Sequence, residues 1–460
     1  MNQRASSPSV EIVAIETPGL GDRSYVVHDG AVAVVVDPQR DIDRVTTVAR
    51  VLGVEVTHVF ETHLHNDYVT GGLALAELTG ARYVVPAATE VAFERTPVSD
   101  GEELTTGAMV IAARHTPGHT PDHMAYVVRA GVEPVAVLTG GSMLFGAVGR
   151  TDLISTERTD ELTRAQYRSV RRLAQELPGH VSVHPTHGFG SFCSATETIG
   201  DASTIAEERS RNVALVIDDE DRFVAQLVSG LSAYPRYYAH MAPRNASGPR
   251  TPDLSLPELI DPVVLRERIE AGEWVVDLRQ RRAFAQRHAV GTVSVELGDA
   301  FATHFGWTLP WGAPVTLIGD GAEEVLQARR QLARIGVDDL AGAALGPIDG
   351  LAPGRTAGYA VVTFEGLAAS FGRPAQVVLD VRRRDEWEKG HVAGAVHVPF
   401  WEVADRSVEL PEGELWVHCA SGLRASIAAS IAHRAGRHVV LVDDDWERAA
   451  GYGLPIERAP

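Results

Sequence analysis

Cysteine is scarce in this chain, since of 460 residues only Cys193 and Cys419 carry a thiol. Two thiols build no disulfide framework, so a reducing compartment is the natural setting. Positive charge is short as well. Lys and Arg number 42 against 61 Asp and Glu, a formal charge of −19, which leaves no electrostatic footprint for nucleic acid or an anionic membrane surface. Long hydrophobic runs are missing: stretches such as Ala31 to Val36 are strand-sized, whereas a bilayer span needs roughly 18 apolar residues. The opening MNQRASSPSV lacks the apolar core of about 7–15 residues that a secretory signal requires. The expectation is a cytoplasmic protein with small-molecule partners, no nucleic acid and no membrane, and with a homo-oligomer left open.

At roughly 150 residues per domain, the length suggests about three domains. Short β-branched runs alternate with helical patterns, as where AVAVVVD ends at Asp37, DIDRVTTVARVLG follows and VTHVFETH comes next, so the class is α/β multidomain. Pro243, Pro249, Pro252 and Pro257 then crowd one stretch and oppose regular structure there. Beyond it lies an internal repeat. Val275-Val276-Asp277-Leu278-Arg279 aligns with Val378-Leu379-Asp380-Val381-Arg382, and Arg287-His288-Ala289-Val290-Gly291-Thr292 with Gly390-His391-Val392-Ala393-Gly394-Ala395. Both alignments have one offset, 380 − 277 = 391 − 288 = 103, the mark of duplicated domains. The expected layout is a domain over 1–240, a linker over 241–257, and two similar α/β units over 258–355 and 358–460.

Three histidine-rich segments carry the first candidate site. Thr62-His63-Leu64-His65-Asn66-Asp67-Tyr68 closes a predicted strand, and in an extended segment His63 and His65 point to one side and can share a metal ion. Thr116-Pro117-Gly118-His119 presents His119 on a turn, and His184-Pro185-Thr186-His187-Gly188 offers two more imidazoles.

This spacing of His63, His65, Asp67, His119 and His187 resembles the metallo-β-lactamase superfamily, which implies an αββα sandwich with metal at the strand ends. The pieces ETHLHND, HTPGHTPDH, LTGGSMLFGAVGRTDL and HPTHGFGS look most like the persulfide dioxygenase branch and its rhodanese fusions. That branch implies one Fe(II) held by two histidines and an aspartate, with glutathione persulfide oxidised by O2 to sulfite. By position the histidines are His63 and His119. The aspartate position reads Thr139-Gly140-Gly141, and Gly141 has no ligating side chain. Tyr68 stands where the superfamily usually carries a second-metal histidine, which disfavours two-metal hydrolysis. The remaining set, His63, His65 and His119, suits one Fe(II), with Zn(II) as the alternative. Asp67 and His187 are orienting groups or alternative ligands.

The second candidate site is Cys419. A strand-like Glu414-Leu415-Trp416-Val417-His418 runs into Cys419-Ala420-Ser421-Gly422-Leu423-Arg424, followed by an Ala-rich helical pattern. Backbone N–H groups and a helix N-terminus at such a junction favour an anion, and Arg424 adds a fixed cation for an oxyanion. Cys-x4-Arg, with Leu379-Asp380-Val381-Arg382 and Gly390-His391-Val392-Ala393-Gly394-Ala395 upstream, resembles the rhodanese sulfurtransferases. The resemblance implies Cys419 as a nucleophile that carries sulfane sulfur from thiosulfate or a persulfide, with Ala420, Ser421, Gly422 and Leu423 binding the substrate. Asp380 and His391 are expected to be structural. The earlier copy has Val315-Thr316-Leu317-Ile318-Gly319-Asp320-Gly321 at this place and looks like an inactive rhodanese. Cys193 is expected as a buried thiol near the His187 loop.

The resulting fold class is an αββα metallo-β-lactamase sandwich followed by two three-layer α/β rhodanese-like domains with parallel sheets. The function expected is persulfide oxidation joined to sulfur transfer through Cys419. Its alternative is sulfur transfer alone beside a degenerate or zinc-hydrolase first domain.

Overall fold

The computed structural model describes residues 10–458. The chain divides into two compact units, Met1–Pro252 with Ala333–Gly336, and Asp253–Leu332 with Val337–Pro460.

The first unit is built from two six-stranded sheets. One sheet holds, in spatial order, Glu11–Thr17, Asp22–His28, Val32–Val36, Glu55–Phe60, Arg82–Pro86 and Thr96–Val98. The other runs Ser203–Thr204, Ser182–Pro185, Glu133–Gly140, Met124–Ala130, Met109–His115 and Glu103–Thr106. Strand Val32–Val36 shows why its sequence is continuously apolar. Val34 and Val36 enter a core shared by both sheets with Phe60, Tyr126 and Leu138, while Ala33 and Val35 pack with Val45, Ala49 and Leu75 of helices Asp43–Leu52 and Gly72–Thr79. Successive side chains alternate faces, so a strand covered on both sides keeps no polar position. Helix Thr159–Glu176 covers the second sheet through Val170, Leu173 and Ala174, which pack with Val127, Val137 and Val183. The layering is therefore helix, sheet, sheet, helix, as the resemblance implies.

The proline-rich stretch departs from its expectation as a linker only at its start, since residues 248–257, with Pro249, Pro252 and Pro257, form neither helix nor strand. Residues Tyr238–Ser247 are helical with Pro243 inside. Proline forfeits one backbone hydrogen bond and strains the preceding turn, but Tyr238 and Met241 are buried and Asn245 is tied into the fold. Its amide donates to the carbonyls of His65 and Tyr68 at 2.9 Å each and accepts from the Thr70 N–H at 3.0 Å. Tertiary contacts outweigh the local penalty.

In the second unit the 103-residue offset becomes three-dimensional. One sheet is ordered Val293–Ser294, Trp274–Asp277, Val315–Gly319, Leu340–Leu345, all neighbours parallel, and a parallel bridge from Leu259 to Ala343 extends it. The other is ordered Val396–His397, Gln376–Asp380, Glu414–His418, Val439–Val442, Ala360–Val362, again all parallel. The two orders coincide strand for strand. Asp277 pairs with Arg279 as Asp380 pairs with Arg382, and Phe284 stacks on His288 as Trp387 stacks on His391. Among the described residues no helix is long and apolar enough to cross a membrane.

Candidate metal centre and cysteine loop

The first site lies where Val32–Val36, Glu55–Phe60, Glu133–Gly140 and Ser182–Pro185 end. Asp37, in a left-handed conformation with φ 51°, gathers these ends. It accepts from the Thr62 N–H and the Thr62 hydroxyl, each at 2.7 Å, and from the Thr186 hydroxyl.

Of the expected trio, His63 and His119 share a group of ligand atoms with His187, while the His65 ring lies 4.1 Å from that of His63 with its nitrogens in neighbouring groups. The ligand atoms of His63, His119 and His187 lie within 4.8 Å of one another, fully buried. Each of these three rings has its other nitrogen engaged. The His63 Nδ1–H reaches the Thr62 hydroxyl oxygen at 2.8 Å, whose own proton goes to Asp37. His119 Nδ1–H donates to the Arg150 carbonyl at 2.7 Å. His187 Nδ1 sits 2.9 Å from Asp22 and 3.1 Å from Asp67. Carboxylates and carbonyls behind metal-binding imidazoles fix ring orientation and raise ligand basicity in this way. The Nε2 atoms of His63 and His187 face each other at 3.4 Å, and His119 Nε2 has no hydrogen-bond partner.

His65 and Asp67 occupy the same pocket. His65, Asp67 and His187 form a second group within 4.8 Å, and Asp37, Glu61 and His65 a third. His65 Nε2 lies 3.2 Å from Asp37 and 3.3 Å from Glu61, while its Nδ1 and Asp67 Oδ1 are unpartnered. Buried polar atoms without partners are costly. Several of them in one histidine-lined pocket fit a divalent ion.

The protonation pattern follows from burial and neighbours. Burial, reinforced by the surrounding imidazoles, holds His63 well below the usual range and His119 at about 3. His65 also loses solvent, but Asp37 and Glu61 outweigh that and lift it to about 9. His187 is raised in the same manner against burial, by Asp67 and Asp22. Burial and the nearby Asp67 push Asp22 up to about 7.

Gly141 is explained by packing. A Cβ there would stand 2.2 Å from Cδ2 and 2.6 Å from Cγ of His119, so the ring fills the space that any side chain at 141 would need. The Gly141 N–H donates to His123 Nε2 at 3.0 Å, and His123 Nδ1 bonds the Thr116 hydroxyl at 2.8 Å. His123 thus lies against the cluster with both nitrogens engaged.

Sequence reasoning missed several residues of this centre. Asp37 was legible as an acid ending an apolar strand, and His123 as an imidazole four residues past His119. Asp22, 165 residues from His187, and Asn245 gave no local signal. Asp152 is engaged by the buried Arg150, at 2.7 and 2.8 Å. Cys193 is buried, and burial with Asp67 and Asp22 pushes its thiol well above its usual value.

At the second site, strand Glu414–His418 delivers Cys419 to a loop that turns into helix Leu423–Arg434. Gly422 takes φ 88°, a conformation glycine adopts without strain, and its N–H donates to Cys419 Sγ at 3.2 Å. The Trp446 N–H bonds the Ala420 carbonyl at 2.8 Å. Gly422 is buried, Ala420 and Leu423 are half-buried and Ser421 is exposed. Arg424, expected to face a substrate anion, instead makes a two-pronged pair with Glu386 at 2.5 and 2.8 Å, since a guanidinium withdrawn from water needs a carboxylate. Asp380 pairs with Arg382, and His391 Nδ1 bonds the Trp387 carbonyl. In the earlier copy Gly319 leads into Asp320, whose N–H bonds Glu324, with no thiol.

Residues 18–209 match the family model of the metallo-beta-lactamase superfamily, and residues 363–450, which include Cys419, match that of the rhodanese-like domain. The chain thus joins a metallo-β-lactamase domain with persulfide dioxygenase homologues to a C-terminal rhodanese-like domain. It is 28% identical over 204 residues to the mitochondrial persulfide dioxygenase of Homo sapiens, covering 44% of this chain and 72% of that protein. It is 36% identical over 135 residues to a hydroxyacylglutathione hydrolase of Pseudomonas paraeruginosa, 29% of this chain and 48% of the relative. A crystal structure of a metallo-beta-lactamase from Staphylococcus aureus subsp. aureus COL shares the fold, with a TM-score of 0.66 at 24% identity over 74% of this chain and all of that one.

Proposed function

We propose that this chain is a cytoplasmic enzyme of sulfur metabolism that oxidises glutathione persulfide at the histidine pocket and moves sulfane sulfur through Cys419. The observation that carries the reading is the presence, in one chain, of a buried pocket with unpartnered imidazole and carboxylate atoms and of a thiol held by a loop N–H at a strand-to-helix junction. The relatives' names, persulfide dioxygenase and hydroxyacylglutathione hydrolase, support a glutathione-borne sulfur substrate.

His63, His119 and His187 would hold one ion, Fe(II) in this reading and Zn(II) in its alternative. A bound Fe(II) supplies redox access to O2 and a Lewis acid for the anionic sulfur. The chain's own residues set the stage. Thr62, the Arg150 carbonyl and the Asp22–Asp67 pair fix the three rings, and burial excludes bulk water. The overall reaction consumes a persulfide RSSH, O2 and water and gives RSH, sulfite and two protons.

In the second site the Cys419 thiolate attacks the outer sulfur of thiosulfate, breaks its S–S bond, releases sulfite and becomes Cys–S–S⁻. An acceptor thiolate or cyanide then takes the terminal sulfur and regenerates the thiolate. Gly422 N–H and the start of helix Leu423–Arg434 stabilise the anion. Residues 258–355 are in this reading an inactive rhodanese-like domain and 358–460 the active one. Sulfite, the product of the first site, is a sulfur acceptor for the second. Purified Cys419→Ser protein is expected to lose transfer from thiosulfate to cyanide while remaining folded; undiminished turnover would refute the assignment.

The second reading, a hydrolase or metal-poor scaffold beside an active Cys419, is favoured by one observation, the missing carboxylate at Gly141. Bound zinc with no oxygen consumption would favour the hydrolase, and near-zero metal content with no oxygen consumption the scaffold.

A further inference from the structure

The copy without a cysteine reaches the cysteine loop of the other. Helix Leu423–Arg434, which begins in that loop, is held at its C-terminal end by the earlier copy. The Ser294 N–H donates to Ser430 Oγ at 2.9 Å, Arg434 donates to the Gly272 and Glu273 carbonyls at 2.7 and 3.1 Å, and the His433 and His288 rings lie 5.2 Å apart. At the helix's N-terminal end the contact is ionic. Asp443, which follows strand Val439–Val442, has its carboxylate pressed against Gly422: a Cβ on Gly422 would fall 2.0 Å from Asp443 Oδ1. The Gly422 N–H is the group that reaches Cys419 Sγ.

A carboxylate buried to 2% exposure beside an anion-holding loop opposes what the loop is for. It repels thiosulfate, sulfite and a cysteine persulfide alike. Among the described residues, the cations within ion-pair distance of Asp443 are Arg281, with Nε at 2.8 Å, and Arg282, with Nε at 2.5 Å. Both stand at the start of helix Arg281–Gln286 in the cysteine-less copy. Arg281 is itself steadied by Glu296 at 2.8 Å. Removing these partners would leave an uncompensated buried charge, the costly half of a broken pair.

We propose that Arg281 and Arg282 are positioning residues for sulfur transfer, which neutralise Asp443 and so keep the Cys419 loop receptive to anionic sulfur substrates. The cysteine-less copy then completes the transfer site. Its role is electrostatic as well as mechanical, because the same two side chains also hold Asp443 against the Gly422 turn. This inference rests on Cys419 as the sulfur carrier, and it concerns residues of the neighbouring copy that never touch the transferred sulfur.

The test uses full-length protein and two alkylating reagents of similar size, anionic iodoacetate and neutral iodoacetamide, with modification of the Cys419 peptide followed by mass spectrometry. Their rate ratio reports the charge met by an incoming anion and cancels reactivity common to both. Arg281→Gln/Arg282→Gln, which leaves Asp443 and the more distant Glu296 without these partners, should lower the iodoacetate-to-iodoacetamide ratio about tenfold or more, the scale of an uncompensated charge acting at short range in a medium of intermediate dielectric. Adding Asp443→Asn should reverse most of that fall, the remainder reflecting Glu296 left without Arg281, and Arg281→Lys/Arg282→Lys should leave the ratio nearly unchanged. Should the double variant melt early, Arg282→Gln, whose side chain is 70% exposed, should give about a threefold fall that Asp443→Asn again reverses. An unchanged ratio, or a fall that Asp443→Asn deepens, would overturn the proposal and leave the arginines as packing groups. The alkylation ratio is independent of turnover, so wild-type protein without thiosulfate-to-cyanide transfer would count against the sulfurtransferase reading separately.

Discussion

Adding one carbon at Gly141 is the most informative small perturbation of the first site. In Gly141→Ala the new Cβ would lie 2.2 Å from His119 Cδ2 and 2.7 Å from His119 Nε2, far inside van der Waals contact. The ring cannot swing aside freely, because its Nδ1 is bonded to the Arg150 carbonyl and its backbone N–H to Gln166 Oε1 at 2.9 Å. Overpacking of this kind costs about 1–3 kcal/mol, which for a unit of this size corresponds to a fall in Tm of roughly 2–10 °C. Displacing His119 by even part of an ångström also spoils one ligand, and losses of about 10–100-fold in metal affinity are typical when ligand orientation is lost. Gly141→Asp, which returns the carboxylate of the resembled dioxygenases, meets the same collision and is expected to weaken binding rather than restore a carboxylate ligand. Calorimetry of the metal-free protein and competitive chelator titration with zinc measure both effects. A Gly141→Ala protein that melts and binds like wild type, or a Gly141→Asp protein that binds more tightly, would refute the argument.

Three further outcomes are expected. Asn245→Ala leaves the His65 and Tyr68 carbonyls and the Thr70 N–H buried without their partner, so stability should fall by about 1–3 kcal/mol and metal affinity should fall with it; urea unfolding and chelator titration check this. His288 and His304 have pKa values held down to about 4 by burial. The unfolded chain takes up their protons below the ordinary value near 6.5 while the folded chain does not, so their contribution to stability is full above pH 6.5 and is lost toward pH 4. The slope is up to about 1.4 kcal/mol per pH unit for each ring, and His304→Gln should flatten the urea midpoint between pH 6.5 and 4 relative to wild type. Glu386→Gln removes the carboxylate that clamps Arg424 and should lower thiosulfate-to-cyanide transfer severalfold, read as a change in KM against kcat; unchanged constants would show the clamp to be dispensable.

Local chemistry was legible in the sequence wherever the interacting residues are neighbours or share a motif. The His63-x-His65-x-Asp67 segment, the turn presenting His119 and the Cys419 loop all announce themselves within a few residues, and the 103-residue offset exposes the repeat because paired strands and ion pairs recur at matching positions. What stayed hidden depends on tertiary packing. The grouping of His187 with His63 and His119 and the engagement of His65 Nε2 by Asp37 and Glu61 are tertiary, and Glu61 is bonded in turn by Tyr83 at 2.9 Å. Pro243 reads locally as a helix breaker, yet buried Tyr238 and Met241 and the Asn245 hydrogen bonds make its segment helical. The Arg281–Asp443 pair joins residues 162 apart and leaves no pattern along the chain. Gly141 looked like a lost ligand from the sequence; in three dimensions it is also the residue that leaves room for the His119 ring.

The most direct test of the account is oxygen consumption by ferrous-loaded protein given glutathione persulfide, with His63→Ala and Cys419→Ser measured beside wild type. Uptake with sulfite formation is expected in wild type and in Cys419→Ser, and none in His63→Ala. No uptake by folded, iron-loaded wild type, or uptake that persists in His63→Ala, would contradict the account.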